Sequence, residues 1–167
     1  MRVFVLLQLF CFSSALTMKP ATTSHATAIR SSVFRERMNP LGLDIANFVV
    51  ACEADDDIVA CGQVRKLPGT REDYELASLI VVPAQRKKGF GSMLVRELLR
   101  VRVPKGASVY VTTPTRTSDF YEKLGFQKIN EDEAPLPLRF EMGIGRFVVS
   151  VITGDSLVCL KHNRTSQ

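Results

Sequence analysis

The sequence contains little cysteine and histidine for its length. Four cysteines and two histidines occur among 167 residues, and no two cysteines are spaced as Cys-x-x-Cys. This pattern indicates neither a zinc site nor a dense disulfide framework, and no metal is expected. Glycine and proline are also few, with 10 and 8 residues, which excludes a collagen-like or low-complexity chain. Hydrophobic residues make up 46% and charged residues 23% of the chain, a balance typical of one globular domain.

Residues 1–15 have the features of a secretory signal peptide. Arg2 precedes an apolar run over residues 3–12, and small residues follow at 13–15, as a signal peptidase site requires. The run is shorter than the about 20 residues that a membrane-spanning helix needs, so no stable membrane anchor is expected. A buried N-terminal strand is the other interpretation, although the run lacks the alternation of polar and apolar residues that such a strand shows.

Residues 16–27 are predicted to form a transit-like leader. The stretch from Leu16 to Arg35 is rich in serine and threonine and contains no acidic residue, which is typical of transit peptides. A signal peptide followed by such a stretch resembles the bipartite leader of algae whose plastid lies inside extra membranes. A plastid location is therefore predicted, with the secretory pathway as the alternative. The folded domain is predicted over residues 28–167, with Cys52, Cys61 and Cys159 as buried thiols.

The rest of the chain alternates between helical and strand patterns, which predicts an α/β fold. Helices are predicted over residues 26–38, 89–101 and 118–124. Strands are predicted over residues 48–52, 58–64, 74–82, 108–113, 126–129 and 156–161. The segment 74–82 is nearly continuous in apolar residues after Glu75, so it is placed in the middle of the sheet. Ser118 is predicted to cap its helix, and residues 138–153 fit either a helix or a strand pair.

A basic, glycine-rich turn separates the predicted central strand from the next helix. Unpaired N–H groups and the positive end of the helix dipole lie at a helix N-terminus, and glycine lets an anion approach the backbone. The spacing is neither that of a Walker A loop nor that of a Rossmann fingerprint. A basic run alone is more often a solvated face, but the flanking strand and helix favour phosphate binding. The turn consists of Arg86, Lys87, Lys88, Gly89, Phe90, Gly91 and Ser92.

Two motifs carry a resemblance to a known family. The turn has the pattern Arg-x-x-Gly-x-Gly at residues 86–91, and residues 120–126 read FYEKLGF. These resemble the pyrophosphate loop and the FYxKxGF segment of the GNAT acyltransferases, which transfer an acetyl group from acetyl-CoA to an amine. The resemblance covers about residues 45–161 and implies the GNAT fold, a mixed central sheet flanked by helices. Residues 38–41 and 75–79 are also similar to plant and algal plastid members.

The resemblance leaves the start of the domain open. Most members begin with a strand and a first helix before the helix that is predicted here at 26–38. In this chain the predicted leader occupies that place. Either the first strand is missing or the leader is shorter than its composition suggests, and the missing piece would normally help to form the acceptor groove.

The resemblance also implies roles for two side chains. Tyr121 matches the family tyrosine near the CoA sulfur, where a phenol can donate a proton or a hydrogen bond to the departing thiolate; a packed aromatic is the other interpretation. Glu75 lies eleven residues before Arg86, the spacing at which histone-type members carry the carboxylate that deprotonates the amine. A surface position at the strand end is the equal alternative for Glu75.

The backbone after Glu75 is assigned to the acetyl-CoA arm by the same resemblance. In the family, the strand segment that corresponds to Leu79, Ile80 and Val81 splays from its neighbour at a bulge and pairs with pantetheine. The N–H of Leu79 or of a neighbour would then donate to the oxyanion. Residues 86–92 would hold the pyrophosphate.

Charge and motifs together predict an N-acetyltransferase. The net charge is +5, but Arg2, Lys19, Arg30 and Arg35 leave residues 36–167 with 18 basic and 17 acidic side chains, so nucleic acid is not an expected partner. Acetyl transfer is expected by direct attack of a primary amine in a ternary complex. The acceptor is predicted to be a protein N-terminus or a lysine, with a small amine, or a catalytically inactive CoA-binding module, as alternatives.

Overall fold

The computed structural model describes residues 16–40, 42–53, 56–143 and 155–163. These residues form one mixed sheet in the order β1-β2-β3-β4-β5-β7-β6. Neighbouring strands are antiparallel except for the parallel pair β4 and β5. The strands are β1 Thr17–Pro20, β2 Phe48–Cys52, β3 Ile58–Lys66, β4 Asp73–Val81, β5 Ser108–Pro114, β6 Gln127–Ile129 and β7 Leu157–Asn163. The helices are α1 Ala26–Arg35, α2 Phe90–Arg102, α3 Ser118–Glu122 and α4, residues 136–143.

The alternation of side chains along the strands divides the core between the two faces of the sheet. On β2, Val49 and Ala51 contact the cluster of α2, whereas Val50 and Cys52 contact the cluster of α1. On β5, Val109 lies on the α2 side and Tyr110 packs with α4. Helices α1 and α4 therefore cover one face, and α2 covers the other. The cysteines predicted as buried thiols, Cys52, Cys61 and Cys159, are buried and free.

The sheet begins inside the predicted leader. Strand β1 pairs with β2 from Thr17 opposite Cys52 to Pro20 opposite Val49, and α1 starts at Ala26. The first strand, which the resemblance left open as missing, is thus present at the sheet edge, and the described fold includes residues before 28. A composition rich in serine and threonine is compatible with an edge strand followed by a helix N-terminus, so composition alone does not distinguish these two possibilities.

Three local predictions need correction or completion. Helix α1 ends at Arg35 rather than at residue 38, because Arg37 has a left-handed φ of 54° and turns the chain. Ser118 is the first residue of α3, and the N-cap is Thr117, whose hydroxyl donates to the Pro114 carbonyl at 2.8 Å. The preceding 3-10 turn therefore sets the helix entry. Of the region left open, residues 138–143 are helical, and residues 144–153 lie outside the described residues.

An ion-pair cluster ties β1 to the turn between β2 and β3. Lys19 lies 2.5 Å from one oxygen of Asp56, and His25 Nε2 lies 3.2 Å from the other. The hydrogen bond from Lys19, followed by that from His25, lowers the pKa of Asp56 from 3.8 to about 2. The Asp56 carboxylate is half-exposed, so solvent screens this contribution.

We expect Asp56→Asn to lower the free energy of unfolding at neutral pH and to make that free energy less dependent on pH in the acidic range. Because the pKa of Asp56 is lower in the folded chain than its usual 3.8, the stabilisation is present above that value and is lost as the pH falls toward about 2. Urea midpoints at pH 7 and pH 3 check this, with exposed Asp57→Asn as the matched control. A difference from the native chain that stays constant between the two pH values would contradict it.

In the part of the chain that the structure describes, no helix is both long and apolar enough to cross a membrane.

Candidate active site

A V-shaped cleft opens in the centre of the sheet where β4 leaves β5. The two strands pair at only three positions, Asp73 with Ser108, Tyr74 with Val109 and Glu75 with Tyr110. Beyond Glu75, β4 continues to Val81 with no β5 partner among the described residues. Residues 77–79 are partly exposed although they belong to the middle strand. The structure therefore shows the splay that the resemblance implied, with Glu75 at its apex.

A β-bulge on β4 shapes the wall of this cleft. Cys61 pairs with Ile80 and Gln63 with Ala77, so Gly62 alone faces both Ser78 and Leu79. Ser78 has a φ of 53°, a left-handed conformation that supports the extra residue. A Cβ on Gly62 would lie 3.2 Å from Leu79 Cδ1 and 3.1 Å from Leu98 Cδ1, so glycine lets the bulged strand pack closely.

The bulged strand directs main-chain polar groups into the cleft. The Val82 N–H donates to Val59 O on β3 at 2.9 Å. Because neighbouring residues of a strand alternate in direction, the N–H groups of Val81 and Leu79 point away from β3, toward the open side. The N–H of Ile80 points toward β3 by the same alternation, and its side chain is buried on the α1 face. Of the three predicted backbone ligands, Leu79 and Val81 therefore face the cleft.

The predicted phosphate loop forms the N-terminus of α2 at the open end of the cleft. Gly89 is the N-cap, with a φ of 87°, and the first intrahelical bond joins the Met93 N–H to Gly89 O at 3.1 Å. The N–H groups of Phe90, Gly91 and Ser92 consequently lack the partners that later helical residues have. A Cβ on Gly89 would meet no atom within 4 Å, so the space in front of these donors is open to an anion.

The three basic side chains of the loop have different surroundings. Arg86 donates from Nε to Val81 O at 3.0 Å and from Nη2 to Glu36 Oε1 at 2.6 Å. It thus joins the loop to the end of β4 and to the residue after α1. Lys88 donates to Gln85 Oε1 at 2.7 Å. Lys87 shows no side-chain partner within the described ranges, which leaves its charge available to a phosphate.

Tyr121 lies in an aromatic cluster on α3, beside the start of α2. Its ring makes edge contacts with Phe120 at 4.9 Å and with Phe126 at 5.7 Å between centroids. Phe120 in turn lies against Gly91, where a Cβ would be 3.4 Å from its ring. Burial raises the pKa of Tyr121 to about 12, so the phenol stays protonated at neutral pH. Tyr121 is therefore a packed aromatic, and its protonated phenol keeps the ability to donate a hydrogen bond.

Glu75 is buried, so the structure does not show the exposed strand-end position considered for it. Its side chain is only 9% exposed, and its Oε2 accepts from Arg65 Nε at 2.6 Å. Arg65 also donates from Nη2 to both Glu141 oxygens, at 2.9 and 2.8 Å. Burial raises the pKa of Glu75, while the Arg65 charge and hydrogen bond oppose this rise. A general base needs a pKa closer to neutral and a place near the reacting amine, so Glu75 at the apex of the cleft stays the candidate for that role.

Comparison with known proteins identifies the family to which this architecture belongs. A model of the acetyltransferase (GNAT) domain matches residues 44–128, just over half of the 167 residues. The chain belongs to the GNAT acetyltransferase family. Membership implies acetyl-CoA-dependent N-acyltransferase activity. None of the curated proteins compared with this chain matches it.

Solved structures share this fold. N-acetylglutamate synthase from Neisseria gonorrhoeae, complexed with coenzyme A and N-acetyl-glutamate, has a TM-score of 0.69 and 16% identity, covering 92% of this chain and 36% of that chain. Rv2747 from Mycobacterium tuberculosis, in complex with CoA and NLQ, has a TM-score of 0.64 and 25% identity, and the match covers 86% of this chain and 98% of that chain. A GNAT-family acetyltransferase from Staphylococcus aureus Mu50 has a TM-score of 0.64 and 14% identity, and the match covers 90% of this chain and 100% of that chain.

These similarities confirm the predicted GNAT fold, with its mixed sheet flanked by helices. This chain spans about a third of the length of the synthase and nearly the whole of the other two. Two of the three neighbours are complexed with CoA.

Several polar residues of this GNAT site were missed in the sequence. Gln63 is 1% exposed, and its Nε2 donates to Ser78 Oγ at 3.4 Å, while its Oε1 has no hydrogen-bond partner among the residues that the structure describes. Gln63 and Arg65 interrupt an otherwise apolar strand before the terminal Lys66, and that pattern could have indicated a polar site on β3. Glu141 reaches Arg65 from α4, in the region that the pattern left open. No sequence signal linked these distant segments.

A second polar cluster lies at the other end of the α1 face. One ligand-type atom from each of His25, Cys52 and Asp56 lies within 4.8 Å of the others. The Thr22 N–H donates to His25 Nδ1 at 2.9 Å, so the other ring nitrogen carries the proton toward Asp56. In this arrangement His25 caps the turn before α1. The sequence did not reveal this cluster, because its members are separated by long stretches of chain.

Proposed function

We propose that this GNAT chain transfers acetyl from acetyl-CoA to a primary amine by direct attack in a ternary complex. The splay of β4 from β5 carries the proposal, since it opens a slot between the phosphate-binding turn and Glu75. The N–H groups of Phe90, Gly91 and Ser92, with Lys87, would hold the pyrophosphate at one end. The free edge of β4 would bind the pantetheine arm and direct the thioester toward the apex.

The chemistry of the step assigns one task to each group in the cleft. The amine nitrogen forms the new C–N bond, the C–S bond of the thioester breaks, and the thiolate leaves. Glu75 takes the amine proton, directly or through water, and Tyr121 donates a proton or hydrogen bond to the thiolate. The N–H of Leu79 or Val81 stabilises the oxyanion between these events. Amine and thioester become amide and thiol, and no acetyl-cysteine intermediate is involved.

The proposed acceptor is a protein N-terminus or a lysine side chain, as the resemblance to plastid members suggests. A small amine is the alternative, and N-acetyl-glutamate in the Neisseria gonorrhoeae structure favours considering it. Incubating the purified chain with acetyl-CoA, a peptide library and a panel of free amines, and identifying the acetylated products by mass spectrometry, tests the choice. Initial velocities with both substrates varied test the mechanism: intersecting lines support a ternary complex, and parallel lines would argue for an acetyl-enzyme.

We expect Tyr121→Phe to lower kcat by about 10- to 100-fold, consistent with the loss of one positioned proton or hydrogen-bond donor. The ring packing against Phe120 and Phe126 is retained in this variant, so the Kd of acetyl-CoA should stay within about twofold of the native value. Stopped-time assays of thiol release and calorimetric titration with CoA measure the two quantities. An unchanged kcat would remove Tyr121 as the donor and leave it a packed aromatic.

We also propose a plastid location, with the secretory pathway as the alternative. The signal-peptide features of residues 1–15 and the resemblance of residues 38–41 and 75–79 to plastid members support it. Loss of the whole segment 16–27 would remove β1 and His25 from the described fold, so we place the mature N-terminus at or before Leu16. N-terminal sequencing of the protein purified from its own cells tests this, and a mature chain that starts after Pro20 would contradict it.

A further inference from the structure

A second open groove lies on the α4 face of the sheet, next to the apex of the cleft. It has a volume of about 980 Å³, at the upper end of the range of small-molecule sites. The turn between β3 and β4 forms one side and α4 with the segment before it forms the other. Its lining residues are Pro68, Gly69, Thr70, Asp73, Glu131, Pro135, Leu136, Pro137, Arg139, Phe140 and Glu141.

Two connections place this groove beside Glu75. Asp73 lies two residues before Glu75 on β4, so both side chains are on the same face of the sheet. Glu141, which lines the groove, is joined to Glu75 through Arg65, with contacts of 2.8 and 2.6 Å. The groove therefore lies directly beside Glu75, the carboxylate that we propose as the base. The phosphate-binding turn lies at the opposite end of β4.

The lining of the groove is acidic and partly apolar. Asp73, Glu131 and Glu141 provide three carboxylates, and Arg139 is the basic lining residue. The Arg65 guanidinium lies between Glu75 and Glu141 and offsets one of their two charges, so Glu141 contributes to the groove as part of a triad with one net negative charge. Leu136 and Phe140 are 74% and 75% exposed and are four residues apart on α4, so they lie on one face of that helix. Such exposed apolar side chains on an acidic surface fit a ligand that is both cationic and apolar.

We infer that this groove is the acceptor subsite and that it selects a peptide with a basic and an apolar side chain next to the acetylated amine. This inference rests on the proposed acetyltransferase function and names its substrate class. The carboxylates attract the basic side chain, and Leu136 and Phe140 contact the apolar one. An open groove of this volume suits a peptide segment better than a single free amino acid. An acidic acceptor such as glutamate would be repelled by the same carboxylates.

Matched acceptor peptides test the assignment with the full chain. Three peptides that differ only in lysine, glutamine or glutamate beside the same acceptor amine are compared by kcat/KM, with free glutamate and a free polyamine as further acceptors. We expect kcat/KM to be highest for the lysine peptide, lower for the glutamine peptide and lowest for the glutamate peptide. The first and last values should differ by at least about tenfold, and the difference should be smaller at high salt. Preference for the acidic peptide or for glutamate would overturn the inference, and preference for the polyamine would overturn its peptide part.

Variants locate the preference in the groove. We expect Asp73→Asn and Glu131→Gln each to reduce the advantage of the basic peptide by about two- to fivefold, with the KM for acetyl-CoA unchanged. Glu97→Gln, on α2 and the other face of the sheet, is the matched control. For the apolar contact, kcat/KM for a peptide with an apolar side chain is compared between Phe140→Ser and Phe34→Ser. Phe34 is similarly exposed, at 83%, but lies outside the groove.

The outcomes separate this inference from the proposed function. Acetylation that shows the same charge preference in the groove variants as in the native chain would overturn the subsite and leave the acetyltransferase function intact. Binding of CoA with no acetylation of any acceptor would overturn the function itself.

Discussion

Replacement of Glu75 by Gln is expected to lower kcat/KM for the acceptor by about 10²- to 10⁴-fold, the usual contribution of a positioned general base. Gln has the same shape and can still accept the hydrogen bond from Arg65 Nε, which is 2.6 Å from Glu75 in the native chain. The Kd of acetyl-CoA should not change, because the phosphate-binding turn lies at the other end of β4. Steady-state rates and CoA titration of the same preparation measure both quantities.

The pH profile distinguishes a base from a structural partner of Arg65. Because burial raises the pKa of Glu75 above 4.5, activity should fall as the pH drops through that raised value, and this acid limb should be absent in Glu75→Gln. The negative charge of Glu141 also raises the pKa of Glu75, so Glu141→Gln should move the limb to lower pH. A Glu75→Gln enzyme with native kcat/KM and the same acid limb would show that Glu75 is not the base.

Replacement of Gly89 by Val is expected to weaken acetyl-CoA binding by about 10- to 100-fold. The φ of 87° at this position is unfavourable for a β-branched residue by about 1–3 kcal/mol, so valine favours a turn conformation that no longer presents the first N–H groups of α2. Restoring the binding conformation costs this free energy, and each 1.4 kcal/mol corresponds to about a factor of ten in affinity. Calorimetric titration with CoA measures the change.

Gly106 provides the matched control for this substitution. It has a similar φ of 84°, and a Cβ there would also meet no atom within 4 Å, but it lies in the turn between α2 and β5. Gly106→Val should therefore lower stability by an amount similar to Gly89→Val and leave the affinity for CoA unchanged. Equal affinities in the two variants would contradict a role for the Gly89 turn in binding.

The features that could be predicted are those that the chain encodes locally. The glycine-rich basic turn, for which phosphate binding stays a prediction, lies within seven consecutive residues, and its strand and helix are neighbours in sequence. The spacing from Glu75 to Arg86 is likewise fixed by one strand and one turn. The apolar composition of segment 74–82 predicted a central strand, and β4 is the fourth of the seven strands of the sheet.

The features that could not be predicted depend on distant segments or on single backbone angles. Strand β1 forms because residues Thr17–Pro20 pair with the edge of β2. A leader peptide with the same composition could not be distinguished from this strand in the sequence. The acidic groove forms only when α4 packs on the sheet near Asp73 and Glu141 reaches Arg65. The bulge depends on the left-handed φ of Ser78. Serine seldom adopts this conformation, so its presence in the sequence does not predict a bulge.

The most direct test of acetyl transfer measures two products in one reaction. The purified chain is mixed with acetyl-CoA and a basic peptide, and the CoA thiol released and the acetylated peptide formed are quantified together. We expect equal amounts of the two products, formed at a rate that Glu75→Gln and Gly89→Val both reduce. A chain that binds acetyl-CoA but releases no thiol with any peptide or amine would contradict the proposed function and would instead be a CoA-binding module.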